Sequence, residues 1–188
     1  KPTDFKSDEI QLVAVRDGGK QIYATNQADN VHLIEYAYDT AKKGNFDNKT
    51  LGKYLAGKTV SLGYSMGSYT DVLQGKSSVK DFETMLDLVY ATFCQLGDDK
   101  AAYDADASRT RAMLANQEKN PMFTFQKKQV LSMYNNPLLD IISPANVDKA
   151  SYPQMMTMLR NVFANAADYT FIVVGNVNQE TLVPMLEK

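Results

Sequence analysis

Histidine, cysteine and tryptophan are almost absent from this chain. Its 188 residues include one histidine, His32, one cysteine, Cys94, and no tryptophan. A single cysteine excludes a disulfide within the chain, so cysteine usage does not indicate a redox compartment. A single histidine excludes a zinc site built from two histidines of this chain. No Gly-x-Ser-x-Gly motif accompanies the histidine, so a serine hydrolase is not indicated either.

Large charge blocks and long apolar runs are also missing. The chain has 20 basic and 22 acidic residues, with a net charge of −2, and no run of Lys or Arg exceeds two residues. Nucleic-acid binding needs a dense basic surface, so the sequence predicts no nucleic-acid partner. No apolar run approaches the roughly 18 to 20 residues that a membrane span needs, so no span is predicted.

The patterns that are present predict both strands and helices. Alternation predicts strands, with a two-residue turn at Gly67-Ser68 joining the second and third, over residues 9–16, 59–66, 69–75 and 168–175. Helical spacing and end signals predict helices over residues 27–43, 47–56, 82–96, 99–118, 121–134 and 153–163, with a loop at 137–150. This order predicts an α+β fold, in which helices pack on one face of a mostly antiparallel sheet.

The two ends of the sequence resemble cut points within a longer protein. Lys1 is not an initiator methionine, and the sequence stops at Lys188 inside a helical pattern. No linker or internal repeat is visible between them. We therefore expect residues 1–188 to form a single domain excised from a longer protein.

One segment nearly matches a zinc-binding motif. Residues 32–36 read His-Leu-Ile-Glu-Tyr, whereas the inverted zincin motif is H-x-x-E-H, in which two histidines bind zinc and the glutamate is the general base. On a helix, His32, Glu35 and Tyr36 point the same way. A tyrosine does not replace a neutral imidazole at neutral pH without a large drop in its pKa. The segment therefore either resembles a zinc helix that has lost its zinc or matches the motif by chance.

Four stretches carry a resemblance to a known family. They are IQLVAVRDGG, the long segment from LGKYLAGK to LVYATF, NPMFTFQKKQVLSMYNNP, and FANAADYTFIVVGNVNQETLVPMLEK. In order and spacing these stretches resemble a domain of the pitrilysin/insulinase family of zinc metallopeptidases, which includes the mitochondrial processing peptidase. The resemblance is closest to the third domain of a bacterial four-domain protein.

The resemblance implies an architecture and a division of labour. Family members are built from similar domains that form two bowls around a chamber, and only one domain per active unit carries the zinc helix. Transferred to this chain, the first ligand position falls on His32, the base on Glu35 and the second ligand on Tyr36. The third ligand, a glutamate, falls near Ala112 and Met113, and Glu118 follows about a turn and a half later.

These departures predict that the chain has no catalytic residue, metal ligand or cofactor of its own, with zinc expected in a sister domain. The predicted function is to form part of the chamber wall and to hold an extended peptide, with sister domains of the same chain as partners. The expected location is the periplasm or cell envelope of a bacterium. Two alternatives stay open: a structural or assembly module without a proteolytic role, and a degenerate site that binds zinc weakly through His32 and Glu35.

Each singled-out side chain also has a simpler interpretation. His32 is interpreted as a solvated or chamber-facing histidine, Glu35 as a surface carboxylate, and Tyr36 as a partner of His32. Cys94 is expected to be a buried structural thiol. The methionines of residues 155–158 have helical spacing, which favours core packing.

Overall fold

The chain folds around a four-stranded antiparallel sheet, as seen in a computed structural model that describes residues 8–177 and 179–186. The sheet strands are β1 (Glu9–Asp17), β3 (Val60–Met66), β4 (Thr70–Ser78) and β6 (Thr170–Gly175), and a separate short pair is formed by β2 (Lys42–Lys43) and β5 (Leu96–Gly97). The helices are α1 (Ala28–Thr40), α2 (Asn48–Tyr54), α3 (Phe82–Cys94), α4 (Lys100–Gln117), α5 (Pro121–Tyr134), α6 (Pro144–Lys149), α7 (Tyr152–Val162) and α8 (Gln179–Leu186). The order across the main sheet is β3-β4-β1-β6.

One face of the sheet is buried under helices. In β1 the inward residues Ile10, Leu12 and Ala14 are fully buried, whereas Gln11 between them is exposed. Helices α1 and α3 pack on the hairpin β3–β4, and α7 packs on α1. The predicted α+β fold with an antiparallel sheet and one covered face is therefore confirmed.

The centre of the core is aromatic. Phe163, which is 2% exposed, lies 5.2 to 6.2 Å between ring centroids from Tyr38, Tyr64, Phe93 and Tyr169. The expected core role of the methionines is also confirmed, because Met155, Met156 and Met158 of α7 are buried. In this chain aromatic rings and thioethers fill the space that a tryptophan occupies in many domains.

A buried ion pair holds the end of β1 to the hairpin. The Asp71 carboxylate, fully buried in β4, accepts hydrogen bonds from Arg16 Nε at 3.0 Å, Gly19 N at 3.2 Å and Tyr64 Oη at 2.6 Å. Arg16 also donates to the carbonyl of Val162 at 2.9 Å. Burial, followed by the nearby Asp71 charge, raises the pKa of the Tyr64 phenol, so this phenol stays a donor at neutral pH.

The structure corrects three sequence predictions about local structure. The helix predicted over 27–43 ends at Thr40, because Lys42 and Lys43 pair with residues 96–97 as strands. The predicted loop 137–150 contains a 3₁₀ turn at Pro137–Leu139 and helix α6. The hairpin turn lies at Ser68-Tyr69 rather than Gly67-Ser68, because residues 67 and 70 form the closing pair.

Cys94 is exposed rather than buried. It is the last residue of α3, and it lies nine residues after the buried Met85. At 100° per residue this places Cys94 about 180° from Met85, on the side of the helix away from the sheet.

The last two sequence predictions concern the chain ends and membrane spans. The ends from which an excised domain is predicted, Lys1 and Lys188, lie outside the described residues. Among the helices in the described ranges, none has the length and apolar character needed to cross a membrane.

Candidate functional site on the open face of the first helix

Helix α1 is held in place at its first turn. Asn30 accepts a hydrogen bond from the backbone N–H of Ser151 at 2.7 Å and donates to the Gln154 side chain at 2.7 Å. Asp29 accepts from Asn146 of α6 at 2.8 Å. These contacts fix which side of α1 faces the core, and they leave His32, Glu35 and Tyr36 half-buried on one open face.

His32 tethers the segment that follows α5. Its Nε2 lies 2.8 Å from the carbonyl oxygen of Pro137, and because a carbonyl only accepts, Nε2 carries the proton. Burial lowers the pKa of His32, and the hydrogen bond to Pro137 only partly offsets this effect. The ring is therefore neutral at pH 7, and Nε2 donates a hydrogen bond from a half-buried side chain.

The lowered pKa of His32 predicts a pH dependence of stability. The unfolded chain binds this proton at a higher pH than the folded protein does, so stability is lost as pH falls below about 6.5. His32→Gln keeps a side-chain N–H donor but does not titrate. The difference in urea midpoint, wild type minus variant, is expected to decrease from pH 7.5 to pH 5; a constant difference would contradict the argument.

Glu35 binds the end of strand β3. One carboxylate oxygen accepts from the backbone N–H of Met66 at 2.8 Å and from the Ser65 hydroxyl at 3.1 Å. The carboxylate is therefore an anchor between α1 and the sheet rather than the free surface group expected from the sequence. One of its two oxygens is thus held in a charge-assisted bond to the backbone.

Tyr36 does not supply a phenolate. Burial, with smaller contributions from the Asp106 and Glu35 charges, raises its pKa. The phenol is therefore protonated at neutral pH. No hydrogen bond joins Tyr36 to His32 in the described ranges, so of the two expected contacts, a hydrogen bond or ring stacking, the hydrogen bond is not formed.

The third-ligand positions also lack a suitable donor. Helix α4 does pack against α1, but Ala112 has no ligand atom and the Met113 side chain is half exposed. Glu118 lies just beyond the end of α4 and accepts from Lys127 at 3.3 Å. Asp106 of α4, whose charge helps to raise the pKa of Tyr36, pairs with Arg109 at 3.0 Å.

These donors do not fit zinc. The motif offers one neutral imidazole with a free Nδ1, a carboxylate with one oxygen bound to the backbone, and a neutral phenol. A protein zinc site needs at least three imidazole, thiolate or carboxylate ligands. Within residues 8–177 and 179–186, no three His, Cys, Asp or Glu side chains converge as a possible metal site.

The open face of α1 adjoins an open edge of the sheet. Ser78 N donates to Thr59 O, and Gly67 N donates to Thr70 O. Because hydrogen-bonded pairs alternate in an antiparallel ladder, the odd-numbered residues of β3 bond to β4. The backbone groups of Leu62, Tyr64 and Met66 then point away from β4. Glu35 occupies the N–H of Met66, whereas Leu62 and Tyr64 have no backbone partner at this edge in the described part of the chain.

The sequence did not reveal the partners that define this site. Pro137 lies 105 residues from His32, and Ser65 and Met66 lie about 30 residues from Glu35. The register of the hairpin was the one sequence signal for the Glu35 contact, since it decides which backbone groups of β3 face outward. Because the turn was predicted at Gly67-Ser68 and lies one residue later, the predicted register was wrong.

Comparison with known proteins links this fold to zinc proteases. No protein-family profile matches the chain. Its sequence is 16% identical over 183 residues to the probable zinc protease PqqL of Escherichia coli, a match that covers 97% of this chain and 20% of PqqL. The crystal structure of the periplasmic protease PqqL superimposes with a TM-score of 0.79 over 98% of this chain.

Other solved structures share the fold. The ferredoxin protease FusC, in complex with Arabidopsis ferredoxin, has a TM-score of 0.71 at 15% identity over 96% of this chain and 20% of FusC. A protease from Helicobacter pylori has a TM-score of 0.77 at 13% identity over 99% of this chain and 45% of that protein. The chain thus spans about a fifth of the length of PqqL and FusC. The resemblance to the pitrilysin family of zinc peptidases is thereby confirmed, for a chain that matches one domain-length segment of such a protease.

Proposed function

We propose that this chain is a non-catalytic, peptide-holding domain of a bacterial zinc protease. In this proposal it forms part of a chamber wall, while a sister domain of the same polypeptide binds zinc and cleaves the peptide. The observation that carries the proposal is the poor ligand set on α1, where Tyr36 stands at the second ligand position and one oxygen of Glu35 is bound to the backbone of β3. The structural relative PqqL is described as periplasmic, which supports a location in the cell envelope.

Strand addition is the proposed mode of binding. An extended peptide beside β3 finds the outward N–H and C=O groups of Leu62 and Tyr64, and such main-chain bonds give affinity with little dependence on sequence. The side chains of the peptide then alternate between the two faces of the sheet. Beyond Tyr36, a groove of about 680 Å³ continues between α2 and α4, with charges of both signs from Asp39, Lys49 and Arg109.

Peptide binding by backbone pairing has a direct test. Leu62→Pro removes one outward N–H without touching the bonds to β4, as an edge strand tolerates. We expect it to weaken binding of an unstructured eight-residue peptide at least tenfold by calorimetry, because it removes a main-chain bond and obstructs pairing. Leu62→Ala is the matched control, because it loses the side chain but keeps the N–H.

A second arm changes the peptide instead of the protein. N-methylation of alternate peptide residues in the register that faces β3 should abolish binding, whereas methylation in the other register should leave it intact. Equal binding of both peptides, or of Leu62→Pro and Leu62→Ala, would refute strand addition.

The weak-zinc alternative is tested by zinc titration at neutral pH. We expect no tight binding, since no three His, Cys, Asp or Glu side chains converge in the described part of the chain. Tight 1:1 binding that His32→Ala abolishes would overturn the non-catalytic assignment. The assembly-module alternative is tested by the sequence of the rest of the parent polypeptide. An intact H-x-x-E-H motif there supports proteolysis, and its absence favours a structural role.

A further inference from the structure

A second cavity lies away from the open face of α1. It has a volume of about 310 Å³, is open to solvent on one side, and is lined by residues of α2, α3 and the turn that follows β2. None of His32, Glu35, Tyr36 or the edge residues of β3 lines it. A cavity of this size accommodates one amino-acid side chain or a small aromatic molecule.

The walls of this cavity are aromatic and partly uncovered. Phe46, Tyr54 and Tyr90 line it, and their exposed fractions are 37%, 45% and 58%. The Phe46 and Tyr54 rings stack at 5.3 Å with an interplanar angle of 25°, so this wall is already ordered. Exposed rings that converge on a concave surface are typical of a binding site for an apolar group.

The cavity wall also contains a buried cation. Lys43 is 8% exposed, and its ammonium donates to the carbonyl oxygens of Tyr38 at 2.7 Å and Ala41 at 3.4 Å. It lies 3.9 Å from the centroid of the Tyr38 ring. Two of the three N–H donors of this ammonium therefore go to backbone carbonyls, and the ring of Tyr38 lies against the same group.

This lysine has no ion pair with any carboxylate in the described part of the chain. A buried charge without a counter-ion is costly, and burial accordingly lowers the pKa of Lys43 to about 8, with Asp39 opposing this shift. A ligand that brings an anion to this wall would therefore relieve an existing cost.

A second cation lies beside the cavity. The ammonium of Lys58 lies 4.2 Å from the centroid of the Tyr54 ring and donates to Thr84 at 2.9 Å. The one carboxylate that lines the described cavity, Asp87, is exposed at its rim. The cavity therefore has Lys43 in its wall and Lys58 beside it, with Asp87 exposed at the rim and Asp39 acting on Lys43 from outside the lining.

We propose that this cavity binds a carboxylate that carries an aromatic or branched apolar group, with the carboxylate at Lys43 and the apolar group against Phe46, Tyr54 and Tyr90. Two sources supply this chemistry: a free small acid and the C-terminal residue of a peptide. The site is separate from strand addition at β3, so either proposal stands if the other fails.

The test compares a carboxylate with its neutral counterpart. N-acetyl-phenylalanine is titrated into the protein at pH 7 by NMR or calorimetry, beside N-acetyl-phenylalanine amide. We expect the acid to bind at least tenfold more tightly than the amide, with shifts confined to residues of this cavity. Equal affinity of acid and amide, or absence of binding at millimolar concentration, would overturn the proposal.

Two variants separate the contributions. Lys43→Met should bring the acid down to the affinity of the amide, and Tyr90→Ala, at an exposed position, should weaken both. A Lys43→Met protein that still prefers the acid would contradict the role of Lys43. If Lys43→Met does not fold, the proposal is still tested by the ratio of acid to amide affinity in the wild-type protein and by the loss of affinity in Tyr90→Ala. A tighter fit of acetyl-Ala-Ala-Phe than of acetyl-Phe identifies a peptide C-terminus as the source, and equal affinities identify a free acid.

Discussion

Replacing Asp71 with alanine is expected to lower the free energy of unfolding by about 3–5 kcal/mol, the range for breaking a buried ion pair from one side. The substitution leaves the mostly buried guanidinium of Arg16 without its counter-ion. It also removes the acceptor for Gly19 N and the Tyr64 hydroxyl. Urea unfolding at pH 7, followed by circular dichroism, measures this change.

The control for Asp71→Ala is a solvent-exposed ion pair of similar geometry. Asp148 accepts from Arg111 at 2.7 Å, and both side chains are half exposed. Because water and salt screen such pairs, Asp148→Ala should change stability far less than Asp71→Ala. Similar losses in the two variants would mean that the buried network does not hold β1 to the hairpin.

Replacing Phe163 with alanine is expected to cost about 3–5 kcal/mol, as for other large aromatic side chains in a core. Phe163 contacts four other rings and is almost fully buried, so the surrounding side chains have little freedom to fill the space. The loss should appear as a lower urea midpoint with an unchanged slope.

Phe125 provides the matched comparison for Phe163. It has the same side chain, but 62% of it is exposed on α5, and Phe125→Ala should change the unfolding free energy by less than about 0.5 kcal/mol. If Phe125→Ala destabilises the protein as much as Phe163→Ala, α5 is covered in solution by a contact that the isolated chain does not show.

Local patterns predicted most of the elements of this fold. Alternation identified β1, β3, β4 and β6, and Asn120-Pro121 marked the start of α5, where Asn120 accepts from Met122 N. Such signals depend on residues a few positions apart, so a single sequence contains them. Helix α5 has apolar residues that no other part of the described chain covers, with Phe125, Leu131 and Tyr134 all exposed, because sequence spacing does not specify what packs on a helix.

The candidate site was only half predictable. Helical geometry placed His32, Glu35 and Tyr36 on one face, and the structure confirms that placement. The bonds of Glu35 and His32 depend instead on the register of a hairpin and the path of a distant segment. Contacts over such separations arise from packing, which a motif does not encode.

The bond from Met66 to Glu35 also sets a length limit on any strand that pairs with β3. With that N–H occupied, the free part of the edge runs from Val60 to Tyr64, which is roughly 16 Å at about 3.3 Å per residue. A folded protein rarely offers even this much extended chain with unpaired backbone groups. Such an edge would select for polypeptides that are already unfolded, whatever their sequence, and would release them readily because the ladder is short.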